Sequence, residues 1–497
     1  MKRKWSATLA STLLALLVAL PGASLAAEPA PEAKKSTFDW LTIGGDYRFR
    51  ADSLNGKMPT FFNFFDPSYQ AFLGGGPAPS PTAGADVKNE TLYTNRFGLN
   101  LKAKASQNVS ASARLVMFKT FGSQDDSAVS GLRSASGTIQ PFFADRVGVF
   151  DGTTGHIPAD GKVFVDYAYV TINNIFDQPI WFSVGRRPST GGIPSHLRQN
   201  NEKPGNAGIP ALLVDYAFDG ATLGYAPDIE ALPGAYAKLC YGRAFENGFT
   251  LDSGNGLRDT DMIGVSLVPY DTDRLYMNLQ WNRGMNIFNS PVIKSNTVFG
   301  NTQPSVDLGD IDWFGLTLLS TMKKVGPGTL NIFGSGALDK THPNGKTVIL
   351  SNGFDTGAGL MFTGRSESTT GWAAHIGGRY DITATRTKIG AEYNHGSKNW
   401  ISFVPAGDDI WTSKLGARGN VYEIYLIQEL NEKAVSSHIA KTFLRVGYQY
   451  YDFTHTGSNN WVGAPVKMSE LVNAANAQML VPVEKATDFY ATVEVKF

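Results

Sequence analysis

The chain has 497 residues, 44 basic against 44 acidic side chains, 53 Gly, 12 % aromatic residues and one cysteine. The even balance lacks the basic excess of a nucleic-acid binder, and one cysteine rules out an intramolecular disulfide. The absence of any C-x-x-C-H rules out covalently held c-type haem, and no segment reaches the roughly twenty consecutive apolar residues of a spanning helix.

The first element is a charged and then apolar leader. Lys2, Arg3 and Lys4 precede an apolar run from Ala7 to Leu20, then Pro21-Gly22 and Ser24-Leu25-Ala26. That order predicts a secretory signal peptide over residues 1–26, with no lipobox cysteine and hence no lipid anchor. Residues 27–40 form a short Pro/Ala/Lys periplasmic leader, and residues 41–497 one domain.

From Leu41 onward, residues of alternating polarity recur, the period of a strand with one apolar and one wet face. The strands expected are Leu41–Ala51, Leu92–Ala105, Val109–Lys119, Val163–Asn174, Pro179–Arg187, Ala211–Ala226, Ala235–Arg243 and Thr260–Pro269. They continue with Arg274–Arg283, Ile311–Ser320, Gly328–Leu338, Gly371–Asp381, Thr385–His395, Gly419–Leu430, His438–Phe453 and Lys485–Phe497. Sixteen strands result if Asp219-Gly220 is a bulge inside the sixth; eighteen become possible if that dipeptide is a turn and Phe354–Phe362 adds a strand. Short and long connections alternate strictly. This predicts an all-β fold: a transmembrane antiparallel β-barrel of about 16 strands with short periplasmic turns and long extracellular loops, in the outer membrane. The run Gly74 to Pro81 looks like a linker but sits inside the first long loop. The aromatics of that loop (Phe61, Phe62, Phe64, Phe65, Tyr69, Phe72) either pack on their own rim, the plainer reading, or cover the mouth or seat a neighbouring subunit.

In the last strand Phe489, Ala491, Val493, Val495 and Phe497 share one face and Asp488, Tyr490, Thr492, Glu494 and Lys496 the other. A dyad strand ending on an aromatic is expected to face lipid on its apolar side. Phe497 is then the signal read by the barrel-assembly machinery.

The alternation also sorts charge. The inward set includes Arg48, Arg50, Arg96, Lys102, Lys104, Arg114, Arg379, Arg386, Lys388, Lys441, Arg445 and Lys496. Inward acids are fewer: Asp46, Asp166, Asp312, Asp381, Glu392, Glu423, Asp488 and Glu494. Basic side chains along a confined aqueous path raise the local anion concentration. A channel with a mild preference for small anionic solutes is expected, against the plainer reading of a partly neutralised arginine ladder without selectivity. The third long loop, Pro188 to Pro210, follows Arg187 and carries His196, Arg198, Glu202 and Lys203. It is expected to fold inward and narrow the pore, an ordinary surface loop being the competing reading. His196 is a candidate pH-responsive group.

Other chemistry has little support. The seven histidines form no metal-ligand spacing, and 251–261 (LDSGNGLRDTD) and 151–160 lack the closing Glu of an EF-hand. No metal and no cofactor are expected. No G-x-S-x-G or other nucleophile arrangement is present, so an enzyme is not expected.

Several stretches resemble a family of outer-membrane, porin-like proteins from anaerobic metal-reducing bacteria. They are FFADRVGVFDGTTGHIPADGK (142–162), WFSVGRRPSTGGIPSHLRQN (181–200), LLVDYAFDG (212–220), APDIEALPGAYAKLCYGR (226–243) and GYQYYDFTHTGSNNWVGAP (447–465). The resemblance implies a barrel, sometimes beside multihaem cytochromes, serving oxyanion uptake or extracellular electron transfer. Two functions follow as expectations: a porin, alone or as a homo-oligomer, or the barrel of a porin–multihaem cytochrome complex. Size favours the first, since sixteen strands suit an aqueous channel better than a sheath around a folded protein. An adhesin would rest on the long loops alone.

Overall fold

The fold is seen in a computed structural model, which describes residues 39–497 apart from 65, 124–157, 159, 207, 250–255, 291–305, 350–352, 358, 362–366, 405–408, 431–440, 460, 462–463 and 479–480. The expected signal peptide, and the leader up to residue 38, lie outside the described residues.

Sixteen antiparallel strands close one barrel, each paired with its neighbours in sequence and the last with the first. They are β1 (Leu41–Met58), β2 (Ala85–Lys104), β3 (Val109–Thr120), β4 (Phe164–Ile172), β5 (Ile180–Ser189), β6 (Tyr216–Tyr225), β7 (Tyr236–Phe245) and β8 (Thr260–Asp271). The circuit continues with β9 (Tyr276–Met285), β10 (Gly309–Val325), β11 (Gly328–Pro343), β12 (Thr370–Ile382), β13 (Thr387–Gly396), β14 (Gly419–Glu429), β15 (Lys441–Phe453) and β16 (Lys485–Lys496). A two-residue ribbon, 289–290 with 306–307, stands apart. Closure leaves no unpaired strand edge, which a backbone in lipid requires. The β1–β16 register sets Arg48 opposite Glu494, Arg50 opposite Thr492 and Tyr47 opposite Val495. Phe497 extends the seam: its N–H donates to the Gly45 carbonyl at 3.0 Å, and Gly45 N–H donates back at 2.7 Å.

The walls reverse the usual order of a water-soluble protein. On β14, Tyr422 and Ile424 are exposed while Glu423 and Tyr425 between them are buried. On β16, Phe489 and Val493 face out, with Asp488, Tyr490 and Thr492 buried. An apolar exterior around a charged interior is what lipid outside and water or protein inside select.

Several expectations are corrected. The sixth strand begins at Tyr216, not at residue 211, because residues 211–214 are held by loop contacts described below. Asp219-Gly220 is no bulge: Asp219 sits in continuous register with Arg186 and Arg243. Gly220 meets a close approach instead, since a Cβ there would lie 2.0 Å from the Tyr241 carbonyl oxygen. The described part of 354–362 makes isolated bridges, such as Ile349 with Asp355, and no strand. The first hairpin also runs further than expected, to Met58 and from Ala85, with an irregularity between Asp52 and Leu54. Beyond it, α1 (Pro67–Leu73) caps the rim. Phe61, Phe62, Phe64 and Tyr69 are buried there, and Tyr69 donates its hydroxyl to the Ala474 carbonyl at 2.7 Å. Phe65 lies outside the described residues.

Candidate functional site: a divided lumen

Two loops enter the barrel. The first runs from Thr190 to Asp215 between β5 and β6. Its entry depends on Gly191, at φ 65°, and on Gly192, where a Cβ would lie 1.6 Å from the Ile209 carbonyl oxygen. Only glycine lets the two arms of the loop lie this close. A single helical turn, α2 (Ser195–Arg198), follows with His196, Leu197 and Arg198 all buried. A helix end leaves carbonyls without intrahelical donors, and here wall cations supply them. Arg379 Nη1 donates to the Leu197 carbonyl at 2.5 Å and Arg445 Nη1 to that of Arg198 at 2.8 Å. Lys496 Nζ reaches the carbonyls of Gln199 and Asn200, each at 3.0 Å. Lys388 binds Asn200 Oδ1 at 2.6 Å and Lys441 binds Glu202 at 2.7 Å. The loop leaves the wall at β5 and is fastened across the lumen to β12–β16.

The second loop, 397–418 between β13 and β14, was not singled out by its sequence. Its backbone pairs with the first: Phe403 N–H donates to the Leu213 carbonyl, and Asp215 N–H to that of Phe403, both at 3.0 Å. Buried Leu212, Leu213, Val214, Trp313 and Trp400 join them in one apolar cluster. The loop also delivers Lys414 Nζ to Glu392 and Glu423, 2.5 Å from each. Arg198 Nη1 lies 2.9 Å from Glu423 and 2.7 Å from Asp409. His375 Nε2 is 3.1 Å from Glu392, and the Tyr490 hydroxyl donates to Glu423 at 2.6 Å. Burial and Arg198 push the Lys414 ammonium down, but Glu392, Glu423 and Asp409 outweigh them, so its pKa is raised and it stays charged. A signal for this loop existed in the sequence. Glu392 and Glu423 face each other across β13 and β14, and two inward carboxylates so placed call for a cation that neither strand supplies.

Among the described residues, the side of the lumen toward β1–β4 is not filled in this way. A cavity of about 480 Å3 lies between β1–β4 and the inserted loops, and its lining reaches Glu392, Lys414, Lys441 and Lys496 on the far side. Arg48, Arg96 and Arg114 face it, with Asp46 and Asp166 between them. Arg114 pairs with Asp46 at 2.6 Å and Asp166 at 3.2 Å, Arg96 approaches Asp46 at 3.5 Å, and Arg48 lies 5.2 Å from the centre of the Phe118 ring. The whole lining holds seven Lys or Arg and seven Asp or Glu, so field direction depends on position, not on a surplus.

The remaining expected residues fall elsewhere. Arg50 is buried between Asp52 and Asp488, at 2.6 and 2.8 Å, and does not line the cavity. Lys102 stands exposed at the short-turn end of β2. Arg386 is not a wall residue: it lies exposed in the turn 383–386 with φ 55°, where the chain reverses between β12 and β13. Lys203 is paired with Asp271 beside the Tyr276 ring. Arg187 is on the wall of β5 rather than in the loop. His196 is buried and not solvated; burial, with Arg379 and Lys203 nearby, lowers its pKa to about 4. Among the described residues no group of three or more His, Cys, Asp or Glu could hold a metal ion.

Residues 86–497 match the family described as "Protein of unknown function (DUF3373)". The chain belongs to this family. No curated protein matches the DUF3373 chain. Among solved structures it is similar to in-vitro folded OmpT, an outer membrane protein of Vibrio cholerae, at 15 % identity and a TM-score of 0.41, over 94 % of this chain and 100 % of that one. It is also similar to OprB of Pseudomonas putida (9 %, 0.40, 92 % and 94 %) and to the anion-selective porin of Comamonas acidovorans (12 %, 0.38, 92 % and 99 %).

Proposed function

We propose that this barrel is an outer-membrane porin: a water-filled path for small hydrophilic solutes with a mild preference for anions, oxyanions among them. The observation that carries the reading is the cavity itself, on which Arg48, Arg96 and Arg114 stand in a row over only two wall carboxylates, Asp46 and Asp166, while Arg379 and Arg445 opposite are spent on loop carbonyls and do not line it. A guanidinium fork suits oxyanion geometry. The even count of lining charges keeps the preference small. The resemblance of several segments to porin-like proteins of metal-reducing bacteria supports oxyanions as the solute class.

The filled half weighs against the alternative in which a multihaem cytochrome sits inside the barrel. A cavity of about 480 Å3 admits solutes, not a folded protein; a cytochrome partner would have to dock on a rim. Among the described residues nothing lining the lumen pairs a nucleophile with a base, and the reading is a channel. The test is conductance in a planar bilayer with reversal potential under a salt gradient. A small shift toward anions is expected, and cation selectivity of the wild type would overturn the preference. A closed bilayer with the folded protein inserted would overturn the channel.

Assembly is expected to depend on the seam. Removing Phe497 deletes two backbone hydrogen bonds to Gly45 along with the proposed signal for the assembly machinery. The heat-modifiable fraction in outer membranes is expected to fall while synthesis is unchanged; an unaltered folded fraction removes Phe497 from that role.

A further inference from the structure

Behind the inserted loop, on the wall of β5–β9, lies a second and much smaller cavity of about 30 Å3. Arg187, Ser189, Thr222, Cys240 and Asn282 line it, with Ile209 of the loop above. Its lining contains no carboxylate. Arg187 is 9 % exposed, and its Nε and Nη1 have no hydrogen-bond partner among the described residues. The Tyr169 ring, 5.6 Å from the guanidinium carbon, offers it a π face but no lone pair. Asn282 is 1 % exposed; its Oδ1 accepts at 2.8 Å from Gln280 Nε2, which also donates to the Trp281 carbonyl at 3.3 Å, and its Nδ2 has no partner among the described residues. Gly264 makes room for that pose, since a Cβ there would lie 2.3 Å from Asn282 Oδ1. A second buried cation stands on the same wall: Lys238, two residues from Cys240, whose Nζ donates to the carbonyls of Asn206 and Gly208 at 2.8 and 2.6 Å.

Arg187, with two unpartnered N–H groups, and Asn282, with one, thus line one small space. An unpaired buried charge is costly unless something of opposite sign accompanies it. Water accepts hydrogen bonds but must also donate, whereas an anion accepts from every donor and donates none. The volume exceeds the roughly 10–15 Å3 that one small occupant needs, and a monatomic ion is the simplest anion of that size. We propose that the cavity is a binding site for a single halide ion, chloride in the cell, held by Arg187 and Asn282. Its occupant neutralises the β5–β9 wall behind the loop. The site is separate from the β1–β4 path and does not rest on the conduction reading.

Bromide is the probe. Crystals of the full barrel grown in sodium bromide are expected to show an anomalous peak within hydrogen-bond distance of Arg187 Nε or Nη1 and Asn282 Nδ2. In detergent, the unfolding temperature is expected to rise and saturate as bromide or chloride replaces gluconate at constant ionic strength. Asn282→Asp supplies a near-isosteric internal counter-ion. It should abolish both the peak and the halide response, with no loss of unfolding temperature in gluconate. A wild-type density that is water only, without anomalous signal, overturns the site. So does an Asn282→Asp barrel that keeps the wild-type halide response. Arg187→Gln, where it folds, must lose the peak as well.

Discussion

The two halves of this lumen are built from the same kind of residue and do opposite things. On β12, β13 and β15, Arg379, Lys388 and Arg445 meet loop carbonyls, an amide and carboxylates and stand off the cavity. On β1–β3, Arg48, Arg96 and Arg114 meet a cavity. The difference lies in what stands opposite. A one-turn helix presents unpaired carbonyls to one wall, while the arms of the same loop leave the other wall uncovered. A basic residue inside a barrel is therefore a candidate for solute binding only after the inserted backbone has been accounted for.

Breaking the filled half is expected to have the largest effect. Lys414→Met leaves Glu392 and Glu423 buried without their shared cation, and loss of one partner from a buried ion pair costs about 3–5 kcal/mol. Arg96→Gln, on the open and partly solvated side, is expected to cost under about 1 kcal/mol. Urea unfolding of the detergent-folded barrel measures both; equal losses would erase the distinction between the halves.

Shortening the loop between Thr190 and Gly208 removes the divider. Single-channel conductance is expected to rise severalfold, and larger uncharged sugars should enter in liposome swelling. A barrel that assembles with an unchanged size cutoff would place the constriction in another loop.

His196 supplies a pH handle on the same loop. Its folded pKa of about 4 lies below the ordinary 6.5, so the unfolded chain binds the proton first as pH falls. Its contribution is present above pH 6.5 and is lost progressively between 6.5 and about 4. The loss is up to roughly 3 kcal/mol, at 1.36 kcal/mol per unit. His196→Gln is expected to flatten the stability profile across that window, and an identical slope in the variant would assign the acid sensitivity to other groups.

The smallest effect is expected from the open wall. Replacing Arg48, Arg96 and Arg114 together with Gln should shift the reversal potential toward cations while conductance keeps its order of magnitude. Arg50 is left out of that set because Asp52 and Asp488 already hold it. Screening over about 8 Å at physiological ionic strength limits the shift. No shift at all would mean that Asp46 and Asp166 cancel the row.

A charge placed on the lipid face, as in Val493→Arg, needs an inward-facing control. Val493 is exposed on the outer face, but Thr492 lies buried between Arg50 and Arg445 in the register. An arginine there meets like charge rather than water, and Ser112, a half-buried position on the inner face of β3, offers the cleaner comparison.

Sequence alone determined the barrel, a count of about sixteen strands, the short and long ends and the side that most strand residues face. A period of two is written residue by residue, and closure follows from pairing each strand with the next. The third loop also announced itself, through Gly191-Gly192 and its cluster of polar residues. Only the tertiary structure decided which cations are spoken for. Arg379 and Arg48 look alike in a dyad pattern, and the carbonyl that occupies Arg379 comes from residue 197, far away in the chain. The entry of 397–418, the burial of His196 and the displacement of Arg386 into a turn were decided in the same way. They depend on contacts between loops and walls, for which local periodicity holds no record.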